Sequence, residues 1–377
     1  MVQDSSRKAK TSKLDTDPDA IYRIINLHYY IFILLIVGIP VWWMTTRVYR
    51  ADLPLKEMNS IILPKTSDKP FGILLSLEYD ILITIVNPLP QDLNVKIDGE
   101  LLELNLRPFL NKLSPVADFV VKSQWTYLTD LGIKPQKKGD EYVVNESQLY
   151  HIVTPLEKES WSFISNRTCI NLMLYIAPCS APMYLYDNSK NRLETNAFVS
   201  PRWGGVYFLN PDSKSCQKHV YEPDYESIIR TFVNQLMHLY HLDGFSESAM
   251  NKFKFNKAKE MLDATKHTLK SLAQLLYEIN SIVIRDDVAE KVIIALGNMT
   301  KAEKYLEEDN ISEGLKHAKV AFKNSESAFA DPSLLALLYF PDDQKYAIYI
   351  PLFLPIMIPV FMSLTHLRKW YKEHIHF

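Results

Sequence analysis

Two clusters in this 377-residue chain combine side-chain types at spacings that chemistry uses. His238-x-x-His241-x-Asp243 sets two imidazoles three residues apart, so that one helical turn offers two nitrogens to a metal ion. No glutamate stands in the position a zinc-dependent hydrolase requires, and no distant third ligand is evident, so a surface or helix-capping role outweighs metal binding. Cys216 and His219 are the types of a thiol nucleophile and its base. Such dyads are assembled across a fold, however, rather than within three residues of loop-like sequence. Only ten glycines occur, and neither a phosphate-cradling glycine loop nor a G-x-S-x-G elbow is present. Asp17-Pro-Asp19 imitates a sugar-transferase metal pair, but it stands in a short N-terminal tail. No cofactor, no metal and no catalytic residue are expected.

Other residues carry modification and cross-linking chemistry. Four N-x-[ST] sequons are candidates for N-glycosylation, at Asn145, Asn166, Asn298 and Asn310. The three cysteines are Cys169, Cys179 and Cys216. In an oxidising compartment Cys169 and Cys179 are a candidate disulfide across the apolar segment between them, which would leave Cys216 odd; three unpaired or buried thiols are the alternative. A net charge of -2 supplies no broad basic field and argues against nucleic acid as a partner.

Two apolar runs frame these candidates. Ile25 to Met44 contains no Lys, Arg, Asp or Glu, nor does Tyr346 to Leu364. A helix needs about twenty such residues to cross ~30 Å of hydrocarbon. Tyr29, Tyr30, Trp42, Trp43, Tyr346 and Tyr349 lie near the edges of the runs, where amphipathic rings prefer to sit. Bulky residues rather than a small-x-small cleavage pattern follow the first run, so it reads as an uncleaved signal anchor. Arg7, Lys8, Lys10, Lys13 and Arg23 precede the first run, and Arg368, Lys369 and Lys372 follow the second. The positive-inside rule then places both tails in the cytosol and the middle of the chain on the other side. Pro351, Pro355 and Pro359 recur inside the second run and Pro40 inside the first. Each removes a backbone hydrogen bond and disturbs the preceding turn, so the second helix should kink and pack against neighbouring membrane helices.

The expected organisation is a membrane protein: an α/β lumenal domain and a helical array, bracketed by one N-terminal and one C-terminal transmembrane helix. Residues 1–24 form a cytosolic tail, 25–45 the first span, 46–225 the α/β domain, 226–330 the helical region, 346–364 the proline-kinked second span and 365–377 a cytosolic tail. Alternating residues over 72–86 predict a strand that ends at Asn87-Pro-Leu-Pro. Leu102, Leu106, Phe109, Leu110 and Leu113 then recur at helical spacing after Asp98-Gly99, which predicts a strand–turn–helix step. Further strands are expected at 119–127, 169–177, 183–186 and 205–209. Apolar stripes predict three helices, one from Ala258 to Val283, one from Val288 to Leu306 and one from Leu315 to Phe329. Asp287 with Glu290 and Asn310 with Glu313 resemble capping boxes.

Specific strings add a resemblance. Ile39-Pro-Val-Trp-Trp-Met-Thr-Thr46 leading to Tyr49-Arg-Ala-x-Leu-Pro54, Asn87-Pro88 with Arg107-Pro-Phe-Leu110, and Thr195-Asn-Ala-Phe-x-Ser-Pro-Arg-Trp-Gly-Gly205 resemble the PIG-S family. So do Ser271-Leu-Ala-Gln-Leu-Leu276 and, most specifically, the block from Asp331-Pro-Ser-Leu-Leu through Pro341-Asp-Asp-Gln to Pro355. The resemblance runs over nearly the whole chain. It implies a non-catalytic subunit of the GPI transamidase complex of the endoplasmic reticulum membrane, which joins preassembled GPI to the C-terminal end of precursor proteins. The cysteine-protease-like chemistry is then expected in a PIG-K-like partner, with PIG-T-like, PIG-U-like and GPAA-like subunits beside it. Membrane lipid, GPI lipid and precursor protein are further candidate contacts. One departure stands out: only residues 55–71 separate Leu53-Pro54 from Gly72, where family members carry a longer stretch. The competing class is a stand-alone lumenal membrane enzyme, a hydrolase or glycosyltransferase using His238, His241 and Asp243. A transporter or channel subunit fits poorly, because the runs hold no charge.

Overall fold

The computed structural model describes residues 19–46, 49–64, 72–129, 131–139, 141–160, 165–187, 189, 191–279, 282–334 and 342–374. The basic residues Arg7, Lys8, Lys10 and Lys13, the Asp17-Pro18 pair, and residues 335–341 of the block that resembles PIG-S lie outside the described residues. The chain divides into two compact units, Met1–Leu55 with Leu272–Lys291 and Ser327–Phe377, and Lys56–Ser271 with Val292–Glu326.

The first unit opens with helix α1 (Asp19–Ile33), which passes through a π-helical turn at Leu34–Gly38 into α2 (Ile39–Thr46). The Ile39 amide donates to the Leu34 carbonyl, five residues back. That wider turn answers Pro40, which has no amide hydrogen and whose ring crowds the carbonyl one turn earlier. Ile24–Met44 is long and apolar enough to cross a membrane.

In the second unit, α3 (Leu55–Ser60) precedes a sheet built around β1 (Glu78–Asn87). Nine of the ten β1 residues are buried, as expected of a β-branched strand covered on both faces of a parallel sheet. β2 (Asn94–Val95) and α4 (Gly99–Leu113) follow, and then the edge strand β3 (Asp118–Tyr127), parallel to β1. β4 (Gln136–Lys138), β5 (Glu141–Asn145) and α5 (Leu149–Ser160) lead to β6 (Thr168–Ile176), which pairs with the other edge of β1. β7 (Met183–Tyr186) joins β4 and β5, while β8 (Ala197–Ser200) and β9 (Gly204–Leu209) extend the main sheet to the order β3-β1-β6-β9-β8. α6 (Ser213–Lys218), β10 (Val220–Tyr221) and α7 (Tyr225–Tyr240) complete it.

Side-chain alternation sorts the two faces of the sheet. Tyr79 of β1 meets Phe119 and the α7 ring of Tyr240 on one face. Val86 joins Met173, Tyr175, Val206, Phe208 and the α5 residues Leu149 and Ile152 on the other. Asp98 caps α4 by accepting from the Glu100 amide, and Leu102, Leu106, Phe109, Leu110 and Leu113 are buried, which fulfils the strand–turn–helix expectation. The first strand begins at Glu78 rather than near Gly72, and Tyr79 is anchored by its hydroxyl to the preceding Leu74 carbonyl. Two asparagines substitute for missing ladder bonds. Asn210 and Asn196 accept from the Met183 and Leu185 amides and donate to the Met183 carbonyl, and Asn196 also donates to Phe208.

The helices α8 (Glu247–Glu278), α9 (Asp286–Glu307) and α10 (Ile311–Phe329) follow the apolar stripes. Within the second unit Lys266 pairs with Glu303 at 2.6 Å, Thr268 bonds Glu326, and the His317 ring stacks on Tyr305 while meeting Asn298. Asn310 caps α10 through the Glu313 amide, whereas Asp287 lies inside the first turn of α9 rather than capping it. α8 ends at Glu278, short of Val283, because the pattern changes there: Ile282 and Ile284 are buried and Val283 between them is exposed. In the first unit Ile284 forms a parallel bridge with Arg50, whose guanidinium donates to the Leu276 carbonyl, and Tyr49 donates to Asp286 at 2.7 Å. The last helix, α11 (Asp342–His374), runs through and beyond 346–364 with Pro351, Pro355 and Pro359 inside it.

The expected disulfide is corrected. Cys179 is bonded to Cys216, and Cys169 is a free thiol. Cys169 sits at the start of β6, and Cys179 lies in the loop beyond its end. A strand advances ~3.3 Å per residue, so these two are separated by far more than the ~7 Å Cα separation a disulfide tolerates. Cys179 and Cys216 instead both follow parallel strands at the same end of the sheet.

Two stability outcomes follow. Gly204 has φ +150° and faces Asn171 across the β6–β9 ladder, where an added Cβ would lie 1.8 Å from the Asn171 carbonyl oxygen. Gly204→Ala should cost about 3 kcal/mol or more, seen as a lowered midpoint in thermal unfolding of the full chain. An unchanged midpoint would contradict this β6–β9 approach. Cys179→Ser and Cys216→Ser should each cost about 3–4 kcal/mol by releasing the cross-linked loop, while Cys169→Ser should cost far less. Equal losses for all three, or a Cys169–Cys179 peptide in non-reducing mass spectrometry, would contradict the pairing.

Candidate functional site

The carboxyl ends of the parallel strands gather the loops that carry the most distinctive surface of the second unit. In open parallel sheets this end, beside the strand where the connection changes direction, is where ligand crevices form. The chain leaves β1 toward β3 on one side and later returns to β6 on the other, so β1 is that strand.

Asn87 closes β1. Pro88 and Pro90 follow it and cannot donate to a ladder, so Asn87 organises the loop with its own amide. Its side chain accepts from Leu89 and donates to the Leu93 carbonyl at 3.0 Å. The loop then forms β2, which pairs in parallel with β10. Asn94 donates to the His219 carbonyl, Lys96 donates to the Tyr221 carbonyl, and the His219 ring meets the Asp92 carbonyl at 2.9 Å. The Cys179–Cys216 disulfide ties the loop after β6 to α6, immediately before that pairing.

Between this loop and the end of β3 lies a cleft of about 360 Å³. Trp125 and Tyr127, two apart and therefore on one face of the edge strand, form its aromatic wall. Their rings are 9° from parallel with centroids 5.8 Å apart, and Tyr127 is 51% exposed. Leu93, Asn94 and Val95 form the facing wall, with Pro90 at the loop. Among the described residues no charged side chain lines the cleft. It has the means to bind a neutral molecule by stacking and amide hydrogen bonds, and no acid, base or nucleophile beyond a phenol.

A second polar cluster occupies the opposite, amino-terminal end of the strands. Asp80, only 2% exposed, accepts from Lys122 at 2.9 Å and Ser165 at 2.6 Å, with Arg167 3.9 Å away. Burial pushes the Asp80 carboxyl up, but Ser165, Lys122 and Arg167 outweigh it and hold the group below the usual carboxylate range. Cys169 is the β6 partner of Asp80. Burial, reinforced by the Asp80 charge, pushes its thiol up to about 11. A thiol so disposed is protonated near neutral pH and is a poor nucleophile.

The residues singled out by spacing are not brought together. His238 is exposed on α7, and His241 is its left-handed C-terminal cap, donating its amide to the His238 and Met237 carbonyls. Asp243 pairs with Lys252 at 2.9 Å. Among the described residues no group of three or more His, Cys, Asp or Glu side chains is placed to hold a metal ion. The Cys216 sulfur is committed to the disulfide and cannot be activated by His219. Of the sequons, Asn166 and Asn310 are exposed and Asn145 is half-buried at the end of β5. Asn298 donates to the Ile294 carbonyl within α9 and contacts His317, so its amide nitrogen is engaged. The Trp125–Tyr127 wall was not singled out by spacing. An aromatic pair two apart at the end of a strand, opposite an Asn-Pro loop, is the signal that marks it.

The described chain matches known proteins over most of its length. The family model for "PIG-S: Phosphatidylinositol-glycan biosynthesis class S protein" matches residues 29–73 and 63–374, two stretches that overlap over residues 63–73. The rat "GPI-anchor transamidase component PIGS" (Rattus norvegicus) is 35% identical, covering 81% of this chain and 61% of the relative. The human protein of the same name (Homo sapiens) is also 35% identical, with coverage of 79% and 59%. The Schizosaccharomyces pombe "GPI transamidase component PIG-S homolog" is 24% identical, with coverage of 79% and 55%. The chain thus spans about three-fifths of the length of the rat and human relatives. With the match extending through both apolar helices and the sheet between them, the chain belongs to the PIG-S family.

Proposed function

We propose that this chain is a non-catalytic subunit of a GPI transamidase complex, supporting transfer of preassembled GPI to the C-terminal end of precursor proteins. The observation that carries the reading is the family match over residues 29–374, together with relatives named as transamidase components. In this reading α1–α2 and α11 are transmembrane anchors in the endoplasmic reticulum membrane, the bulk of the chain is lumenal and both termini are cytosolic. The apolar length of Ile24–Met44, the uncharged run at 346–364 and the basic residues outside both runs support that topology. The Cys179–Cys216 disulfide supports an oxidising compartment. The high thiol pKa of Cys169 and the engaged sulfur of Cys216 favour catalysis by a partner, a PIG-K-like cysteine-protease-like subunit.

The same reading gives the prolines of α11 a role. Pro351, Pro355 and Pro359 cannot donate to the carbonyls of Ala347, Pro351 and Pro355 one turn back. In hydrocarbon those carbonyls need neighbouring helices, side chains or water, so this helix is part of the assembly surface. PIG-T-like, PIG-U-like and GPAA-like subunits are the proposed neighbours, with GPI lipid and precursor protein as further contacts. Affinity purification of the tagged full chain in mild detergent, with subunit identification by mass spectrometry, tests the assignment. The expected result is recovery of the catalytic and accessory subunits, reduced severalfold when the three prolines are replaced by leucine while membrane insertion persists. A chain that migrates alone would overturn the subunit reading.

A further inference from the structure

We infer that the Trp125–Tyr127 cleft is a carbohydrate-binding site that takes one or two rings of a neutral glycan. The inference stands on the cleft alone and does not depend on the transamidase reading. Its volume of about 360 Å³ lies in the range of small-ligand pockets. The two rings present nearly parallel planes at the mouth, with Tyr127 half in solvent. Electron-rich ring faces attract the polarised C–H bonds on the apolar face of a pyranose, and a pair of parallel rings fits a flat ligand.

The opposite wall supplies the polar half of such recognition. The Asn87 side chain is spent on its own loop, with its oxygen and nitrogen bonded to Leu89 and Leu93. The Asn94 side chain is exposed, and among the described residues nothing bonds its amide, which leaves one acceptor and two donor hydrogens for vicinal hydroxyls. Asn94 is nevertheless held in place, because its backbone amide is fixed to the His219 carbonyl and its strand is paired with β10. A fixed backbone and a rotatable amide suit a ligand that presents several hydroxyls.

Charge decides against the competing ligands. Among the described residues no cation lines the cleft, and the next residue after Val95, Lys96, is paired with Glu222 at 2.8 Å, which leaves phosphate or a nucleotide without a counter-charge there. Carboxylate-bearing peptides are disfavoured for the same reason. A neutral sugar needs none.

The source of the sugar, lipid-linked or protein-linked, is left to the probes. Full-length chain in lipid nanodiscs, free of sugar-based detergent, is titrated with methyl α-mannopyranoside, α-linked mannobiose, chitobiose and glucosaminyl-inositol. Saturation-transfer NMR and tryptophan fluorescence are the readouts, with inorganic phosphate and a proline-rich peptide as controls. At least one sugar should bind in the millimolar range. Trp125→Ala and Tyr127→Ala should weaken it at least tenfold, and Asn94→Ala severalfold. Trp125→Phe and Tyr127→Phe should retain binding, which separates loss of stacking from loss of fold. Chitobiose binding would identify a protein-linked N-glycan core and glucosaminyl-inositol binding a lipid-linked glycan, and either supports the inference. Transfer to no sugar, transfer unchanged in Asn94→Ala and both alanine ring variants, or binding of phosphate or peptide in place of sugar would overturn it.

Discussion

A strand with nine of its ten residues buried can exist only between two other strands and between two covered faces, and β1 imposes that demand on the rest of its unit. Its register with β3 and β6 is fixed along nearly the whole strand, because a slip of one residue would exchange Tyr79, Ile81 and Ile83 for Asp80, Leu82 and Thr84 on each face. α4 and α7 then cover one face and α5 the other. Once β1 is seated, the loop after Asn87 must emerge at the carboxyl end, beside the end of β3. The cleft is therefore a consequence of how the central strand is buried rather than an isolated surface feature.

The polar groups around β1 divide by end of the sheet. At the amino end the buried Asp80 accepts from Lys122 and Ser165 through Oδ2, with Arg167 3.9 Å from Oδ1, and these contacts outweigh the effect of burial on its charge. At the carboxyl end the described lining of the cleft is amides, rings and apolar side chains, and the Cys179–Cys216 cross-link holds the loops that frame it. The first unit depends on a different constraint, the Arg50–Ile284 bridge with Tyr49 on Asp286, which fastens the segment just after α2 to the segment between α8 and α9.

Much of the sheet was legible in the sequence, because β1, β6 and β9 are apolar runs that end at Pro88, Pro178 and Pro211. The strands expected at 119–127, 169–177, 183–186 and 205–209 agree with β3, β6, β7 and β9 to within one residue at either end. Asp98 and the Leu102–Leu113 stripe announced α4 by cap and period. What was not legible depends on contacts distant in the chain. The two-residue strands β2 and β10 carry no period of their own and exist through pairing across the unit. The disulfide follows from which loops meet at one end of the sheet, which local spacing misjudged. Asp80 with Lys122, and Trp125 with the Asn94 loop, become neighbours only when β1, β3 and β10 are in place. His238, His241 and Asp243 show the converse: suggestive spacing that a left-handed cap and the Lys252 pair disperse.

The subunit role proposed above rests on family membership, on a cysteine pair committed to a disulfide and on a third thiol held protonated by burial. The most direct measurement is complementation in cells lacking their own PIG-S-type subunit, reading a GPI-anchored reporter at the surface by flow cytometry. The account predicts that this chain restores the reporter, and that His238→Ala/His241→Ala restores it to the same level. Loss of the reporter in the double-histidine variant, with the complex still assembled, would contradict it.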